Sequence, residues 1–513
     1  MNVFVFTRRF LADYVRNPVN LLLLAVVPVV FVIVVAGSLA DASKLLGGQG
    51  PAVETASAGW AAAFLAGIAM YFQTAATRDT DRRVVIAGLP ASRLVAARLL
   101  TGAVLALFAS AVALVALAAR TGIDAPVRIA AGTVMFAVIY VAIGAVLGTL
   151  VRNPVNGVII VLFVWILDIF FGPAMGAMDK PVTRGLPTHF VTLWMVDLPS
   201  GHGGRPGDLG WALLWTVAAV IVAWVVAVAR TRRARAHRLV STDTGWRQVR
   251  AATLAAWRDA RRNPAMWALF IVVPLVFIWT ADALTPDEQI TLTLTEAGQR
   301  VTQAFSMPDV HAGTMAPIAI ASLAAIVGLF VMADSRDGDR RATLAGMRPT
   351  ALLTARLTVL LAAALAATAV SLAVTAFLFD AVTWPIYAGA NVLLALTYAL
   401  GGALLAPVFG RVAGVFVAFL LPFLDIAISQ SPMLHPDPGL GIKLLPGYGG
   451  SRVLLDGALT HTFDETRPLL YGLAWLAALL ILVTFTYRRS IAIQHSHHMA
   501  TSDKATSLER QPH

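Results

Sequence analysis

The sequence contains no cysteine. Disulfides, thiolate metal sites and cysteine nucleophiles are therefore excluded. Charge is scarce as well: 13% of the 513 residues are Asp, Glu, Lys or Arg, against 58% hydrophobic. Soluble domains run nearer about a quarter charged. With a mean hydropathy of +0.76, this chain cannot clothe its surface for water, and a bilayer is its natural solvent. Catalytic motifs are missing too. There is no Gly-x-x-x-x-Gly-Lys-Ser/Thr run to cradle phosphates, no nucleophile elbow and no paired-histidine zinc motif. No enzymatic activity, cofactor or metal is expected in this chain.

What it has in quantity is apolar runs. A membrane-spanning helix needs about 20 predominantly apolar residues. Twelve stretches answer: 19–39, 59–76, 99–119, 129–150, 155–173 and 211–229, then 265–283, 313–333, 355–379, 386–409, 412–430 and 469–486. The shortest is 59–76. The fold expected is an all-α polytopic membrane protein, with 12 transmembrane helices as two tandem parallel six-helix repeats.

The basic residues orient it. With a cytoplasmic N-terminus, every alternate loop is arginine-rich, and most of the 39 Lys and Arg residues fall on the cytoplasmic side. Both termini are then cytoplasmic. The net charge of +11 is mainly this topology signal, so no nucleic-acid partner is expected. "TRRFL" (Thr7–Leu11) resembles part of a twin-arginine export signal. However, the apolar stretch after it is longer than a signal core. A second arginine pair, Arg261-Arg262, precedes an apolar stretch deep inside the chain, where no signal can lie.

The chain repeats itself. "RNPVNLLLLAVVPVVF" (Arg16–Phe31) returns as "RNPAMWALFIVVPLVF" (Arg262–Phe277). "RDTDRR" (Arg78–Arg83) returns as "RDGDRR" (Arg336–Arg341), each followed by an Ala-Gly pair and a proline, with Arg98 and Arg356 opening the next span. Asp168 and Asp425 match within the fifth and eleventh spans, and Leu186-Pro187 matches Leu445-Pro446. Six spans per half is an even number, so both halves enter from one side. Their expected relation is a pseudo-twofold axis along the membrane normal. The expected domains are a first six-span repeat at 1–229, a basic cytoplasmic linker at 230–245, a second six-span repeat at 246–489 and a disordered cytoplasmic tail at 490–513.

Val3, Phe6, Phe10 and Tyr14 share one helical face, with Arg9, Asp13 and Arg16 mostly on another. This predicts an interfacial helix before the first span. Trp246, Val249 and Trp257, with Arg247, Arg250, Arg258 and Arg261, suggest its counterpart. Pro28 and Pro274 each remove a backbone donor inside a span and are helix-kink candidates. An Asp-x-Asp metal site is disfavoured in the "RDxDRR" segments, because three arginines crowd each pair of carboxylates. A solvated charged loop and a docking element remain, with Arg78, Asp79, Asp81, Arg82 and Arg83, and Arg336, Asp337, Asp339, Arg340 and Arg341, as the candidate contacts. Asp168 and Asp425 lie roughly 20 Å from the cytoplasmic side at 1.5 Å per residue. A carboxylate at that depth marks a pathway or relay, or a polar tie near the outer end; both readings stand. "HSHH" (His495–His498) lies in a polar tail.

An interfacial helix, Arg-x-Pro, a proline-bearing first span and a charged loop leading into "AGLPASRLVAARLL" (Ala87–Leu100) together resemble the type-2 membrane permeases of ATP-binding-cassette exporters, including antibiotic-efflux members. The resemblance covers nearly the whole chain, once per half. It implies a fused permease subunit in a bacterial cell membrane, exporting a small hydrophobic or amphipathic substrate (drug, antibiotic or lipid). It implies two copies of a cytoplasmic ATPase subunit that carries the ATP and Mg. By position, the family's coupling element maps onto Arg78 to Arg98 and Arg336 to Arg356. The family usually has a glutamate early in this loop, where this chain has Asp79 and Asp337. A twelve-span proton-coupled transporter of the facilitator superfamily is the alternative, but "TRDTDRRVVIAG" (Thr77–Gly88) departs from that superfamily's Gly-x-x-x-Asp-Arg-x-Gly-Arg order. A membrane enzyme acting on lipid-linked substrates is a remote third reading, since the first outer loop offers only Asp41 and Glu54.

Overall fold

A short amphipathic helix, α1 (Val3–Val15), begins this computed structural model, which describes residues 3–16, 18–45, 48–86, 88–176, 183–231, 264–344, 347–435 and 438–509. Most of the linker expected at 230–245, and the second interfacial stretch from Trp246 to Arg262, lie outside the described residues. In α1, Val3, Phe6, Phe10 and Tyr14 are shielded, while Arg9, Asp13 and Arg16 are exposed. That is the face division the spacing predicts. Burial pushes the Tyr14 phenol up to about 12, so it stays a neutral donor at any ordinary pH.

The first half continues through α2 (Pro18–Val30), α3 (Ala36–Leu45), α4 (Gly50–Ile86), α5 (Ala91–Arg120), α6 (Pro126–Leu150), α7 (Pro154–Phe170), α8 (His189–Met195) and α9 (Pro206–Thr231). The second half comprises α10 (Pro264–Leu284), strands β1 (Gln289–Glu296) and β2 (Gln299–Ser306), α11 (Met307–Leu344), α12 (Pro349–Thr375), α13 (Trp384–Pro422), α14 (Leu440–Lys443), α15 (Gly447–Leu459) and α16 (Thr466–Glu509). Among the described residues, nine helices are long and apolar enough to cross a membrane. α7 and the central part of α10 form shorter apolar helices. The chain divides into two compact units, one mainly from each half.

One of the nine candidates, Trp384–Ser429, is 46 residues long. At 1.5 Å per residue it would measure about 70 Å, far more than the roughly 30 Å hydrocarbon core. It is not one rod. Gly410 breaks it at φ 66° and ψ −165°, a conformation that excludes a side chain. The break falls between the apolar stretches 386–409 and 412–430.

Three local features stand out. "RDTDRR" and "RDGDRR" are not loops: Arg78–Arg83 lies inside α4 and Arg336–Arg341 inside α11. The first contains no helix breaker, and the single Gly338 in the second costs only about 1 kcal/mol. α4 has 37 residues, about 55 Å of helix, so its last turns overhang any bilayer core. The chain turns later, at Gly88 (φ 101°) and Pro90, which precedes α5. Second, α16 continues as helix as far as Glu509. Residues 490–509 contain neither proline nor glycine, so nothing local stops the helix.

Third, an otherwise all-α chain carries a two-stranded hairpin, β1–β2. Its two-residue turn is Ala297-Gly298, with φ of 52° and 75°. Both positive values belong to the hairpin turn whose twist matches the strands. Leu292 and Leu294 are buried while Thr291 and Thr293 are exposed, the period of two expected for a strand. The tip is pinned by hydrogen bonds. Ala297 N donates to Thr462 Oγ1 (2.8 Å), Gly298 N to Asp464 Oδ1 (3.2 Å) and His461 N to Glu296 Oε1 (3.3 Å).

Small residues set the helix crossings. A Cβ on Gly144 in α6 would lie 2.2 Å from Gly67 O in α4. A Cβ on Gly402 in α13 would lie 1.9 Å from Ala325 O in α11. Only a bare Cα allows backbones this close, the usual device for helix association in lipid. The pattern recurs one helix further on. A Cβ on Gly157 would strike the Tyr71 ring, and one on Gly414 would strike Leu329.

Candidate functional site

Two places in each half gather polar side chains. The first is where α4 meets α5, and α11 meets α12. Arg98 Nη2 donates to Asp81 Oδ1 at 2.8 Å and its Nε to Oδ2 at 3.2 Å. Arg356 repeats this on Asp339, at 2.7 and 3.4 Å. A planar guanidinium matches a carboxylate in this two-bond fashion. Local geometry places the partners: each aspartate sits on the overhanging end of one helix, and each arginine early in the helix that returns.

Additional partners differ between the halves. Thr77 Oγ1 donates to Asp81 Oδ2 (3.1 Å), and Arg98 lies 3.6 Å over the Phe10 ring of α1. Thr7 Oγ1 reaches Ala97 O at 3.4 Å. The amphipathic α1 is thus fastened to the start of α5. In the second half, Tyr487 Oη of α16 donates to Asp339 Oδ2 at 2.9 Å.

The remaining candidates divide. Arg83 and Asp79 face solvent, and Arg82 is half-buried with its guanidinium 3.8 Å from Asp79. Arg78 turns inward, where Nη2 donates to Gly148 O and, at 2.8 Å, to Val151 O. There it satisfies carbonyls left open at the C-terminus of α6. Arg336 and Arg341 are exposed. The side chains of Asp337 and Arg340 lie outside what the structure describes. The arrangement therefore brings Asp81 and Asp339 into internal ion pairs and leaves Asp79, Arg83, Arg336 and Arg341 outward. The notable exposed apolar side chain at this end is Ile86, 75% accessible.

The second place is at the other ends of the helices. Asp168 and Asp425 are both buried. Tyr140 Oη donates to Asp168 Oδ2 (3.1 Å), Thr188 Oγ1 to Oδ2 (2.7 Å) and Thr188 N to Oδ1 (3.2 Å). Thr188 stands immediately before α8. In the second half, Tyr398 Oη and Gly447 N (2.7 Å) donate to Asp425 Oδ2, and Gln430 Nε2 donates to Oδ1 (3.1 Å). Gly447 is the first residue of α15. Each carboxylate thus joins a tyrosine of the preceding long helix to the N-terminus of the following short helix, where backbone N–H groups favour negative charge. α15 is packed tightly here. A Cβ on Gly449 would lie 2.3 Å from Pro468 O of α16.

Pro28 lies inside α2, and the helix widens directly afterwards into a π-helical turn, Phe31–Val35. Such turns leave carbonyls poorly served. Arg120 from the end of α5 serves two of them, donating to Val32 O (2.8 Å) and Ile33 O, while its Nη2 meets Glu54 Oε1 at 3.2 Å. Pro274 also lies inside its helix, and α10 remains α-helical around it.

Sequence reasoning singled out Asp168, Asp425 and both members of the Asp81–Arg98 and Asp339–Arg356 pairs, but not the partners of Asp168 and Asp425. Tyr140, Tyr398, Thr188 and Gly447 were missed. The tyrosines do repeat, 28 residues before the aspartate in the first half and 27 before it in the second, a match between the halves that the repeat comparison overlooked.

Residues 54–229 match the family model described as ABC-2 family transporter protein. No curated protein matches the chain. The matched segment runs from α4 through most of α9 and includes both the Asp81–Arg98 pair and the Asp168 site. That segment is similar to ABC-2 family transporter proteins, and with nine helices long and apolar enough to cross a membrane among its described residues the chain is a multi-pass membrane protein.

Proposed function

We propose that this chain is the membrane subunit of an exporter driven by a separate ATP-binding-cassette ATPase. The observation that carries the reading is the repetition of the Asp–Arg clasp: Asp81–Arg98 and Asp339–Arg356 brace equivalent helix overhangs, once per half. Two braced overhangs of one design suit two copies of one soluble partner. The partner would bind ATP and Mg, and its closure would be transmitted through α4–α5 and α11–α12 to the spans. The exposed Asp79, Arg83 and Arg341, with Ile86, form the contact surface. Arg82 and Arg340 complete the candidate set.

On this reading the chain is two fused six-span repeats in a bacterial cell membrane, with both termini cytoplasmic and the overhangs in the cytoplasm. A small hydrophobic or amphipathic substrate (drug, antibiotic or lipid) is moved outward. Asp168 and Asp425 act in this scheme as ties that hold the outer short helices, because each carboxylate is already engaged by three donors.

The test is co-purification of the full chain with cytoplasmic ATP-binding-cassette ATPases from its own cells, followed by an ATP hydrolysis assay. Hydrolysis that depends on the permease is expected. Reversing charge at Arg82, Arg83, Arg340 and Arg341 together should weaken the complex; unchanged recovery of the ATPase would remove these residues from the docking surface.

A further inference from the structure

Arg78 and Arg336 open the two "RDxDRR" segments, yet they are used differently. Arg78 is consumed by Gly148 O and Val151 O at the end of α6. Arg336 has no equivalent task. α13 does not end at the corresponding place but breaks at Gly410 and continues. Arg411, next to that break, pairs with Asp334 at 2.7 Å. Among the described residues, no hydrogen bond or ion pair engages Arg336.

Arg336 instead lines a cleft formed by α11, α13 and α16, with a cavity volume of about 140 Å³. Met332, Ala403, Pro407 and Val483 make an apolar wall. The two neighbouring carboxylates are both compensated, Asp339 by Arg356 and Asp334 by Arg411. Among the described residues of the cleft, Arg336 is the uncompensated charge. It is also the last residue of the membrane-crossing stretch of α11, Met307–Arg336. The cleft is therefore apolar on its inner wall and cationic where helix gives way to water. A basic pocket of this kind between membrane helices recognises an anionic head group, and a guanidinium fits phosphate or carboxylate oxygens with two parallel bonds.

We propose that this cleft binds an amphipathic anion, one apolar chain with a phosphate or carboxylate head, and that Arg336 holds the head. The chain lies along Met332 and Val483, and the head stays at the aqueous boundary. The first half lacks this site, because its matching arginine is taken up within the fold. The inference rests on the proposed topology for placing the cleft on the cytoplasmic side, but it needs no ATPase.

The experiment uses the full-length protein in neutral maltoside detergent, titrated with dodecyl phosphate and read by native mass spectrometry. One saturable adduct is expected. Arg336→Gln should weaken it about tenfold, the cost of one charge-assisted hydrogen bond; Arg348→Gln, an exposed arginine outside the cleft, should not. Ala333→Phe, which fills the cleft and keeps the arginine, should also weaken it, so the test survives if Arg336→Gln fails to fold. Equal binding by wild type and both cleft variants would overturn the proposal, as would equal affinity for dodecyltrimethylammonium. Displacement of the probe by inorganic phosphate alone would overturn the amphiphile and leave a simple anion site. Because no ATPase is present, failure here leaves the exporter reading standing, and failure to recover an ATPase leaves this site standing.

Discussion

Arg98 grips Asp81 through two nitrogens, at 2.8 and 3.2 Å, while the face of its guanidinium covers Phe10 at 3.6 Å. One side chain thus fastens three helices: the overhang of α4, the start of α5 and the amphipathic α1. Neither member of the pair is more than 14% exposed, so the pair is shielded from the water that makes surface ion pairs weak. Any force applied to the overhang reaches α1 and α5 through this arginine.

Asp81→Asn should therefore destabilise the protein by roughly 2 kcal/mol, since it leaves a shielded guanidinium without its counter-charge. Asp339→Asn should act in the same direction in the second half. The measurement is thermal unfolding of the detergent-purified protein, with Asp79→Asn as the comparison. Asp79 is exposed, and its loss should change little. Equal melting temperatures for all three variants would remove the clasp from the account of the fold.

Asp168→Leu and Asp425→Leu should each lower the yield of folded protein. Each strands three donors, including one backbone N–H at the start of a short helix. Tyr140→Phe removes only one donor and should cost about 1 kcal/mol. A proton-carrying role predicts another outcome: Asp168→Asn would keep the melting temperature and abolish the pH dependence of transport. Melting and transport measured on the same preparations separate the two.

The sequence spoke clearly where its signal was local or repeated. Apolar length located the nine helices long enough to cross a membrane, and the face of α1 followed from Val3, Phe6, Phe10 and Tyr14. Even the break at Gly410 was visible as a gap between apolar stretches. It failed where charge was mistaken for loop. "RDTDRR" looks solvated, yet a charged segment without proline or glycine simply extends the helix before it. The β1–β2 hairpin escaped because its alternation, Ile290, Leu292 and Leu294 among threonines, is short and sits between long apolar runs. The partners of Asp168 escaped for another reason. Tyr140 is on a different helix and Thr188 lies beyond a long connection, so only tertiary packing joins them.

Arg120→Gln should loosen the π-helical turn after Pro28. Arg120 serves Val32 O and Ile33 O and is steadied by Glu54. Gly37 leaves room for it, since a Cβ there would lie 2.4 Å from its Nη2. Hydrogen exchange should therefore rise in a peptide covering Phe31–Ala36 while peptides from α6 stay protected. A uniform rise over the whole chain would instead mean global destabilisation.

Gly402 and Gly401 are neighbours on α13 with opposite surroundings, which makes them a controlled pair. A Cβ on Gly402 meets Ala325 O at 1.9 Å, whereas one on Gly401 meets nothing within 4 Å. Gly402→Ala must force α13 away from α11, and a rigid backbone atom cannot give way as a flexible side chain can. Overpacking of this kind costs roughly 1–3 kcal/mol or more. Gly401→Ala adds a better helix former without a clash, and should be neutral or stabilising by up to about 1 kcal/mol. The same contrast is expected in the first half for Gly144→Ala, where the obstacle is Gly67 O. Melting temperature and membrane yield of the three variants form the check. A Gly402→Ala protein as stable as Gly401→Ala would mean that α11 and α13 do not cross as closely as described.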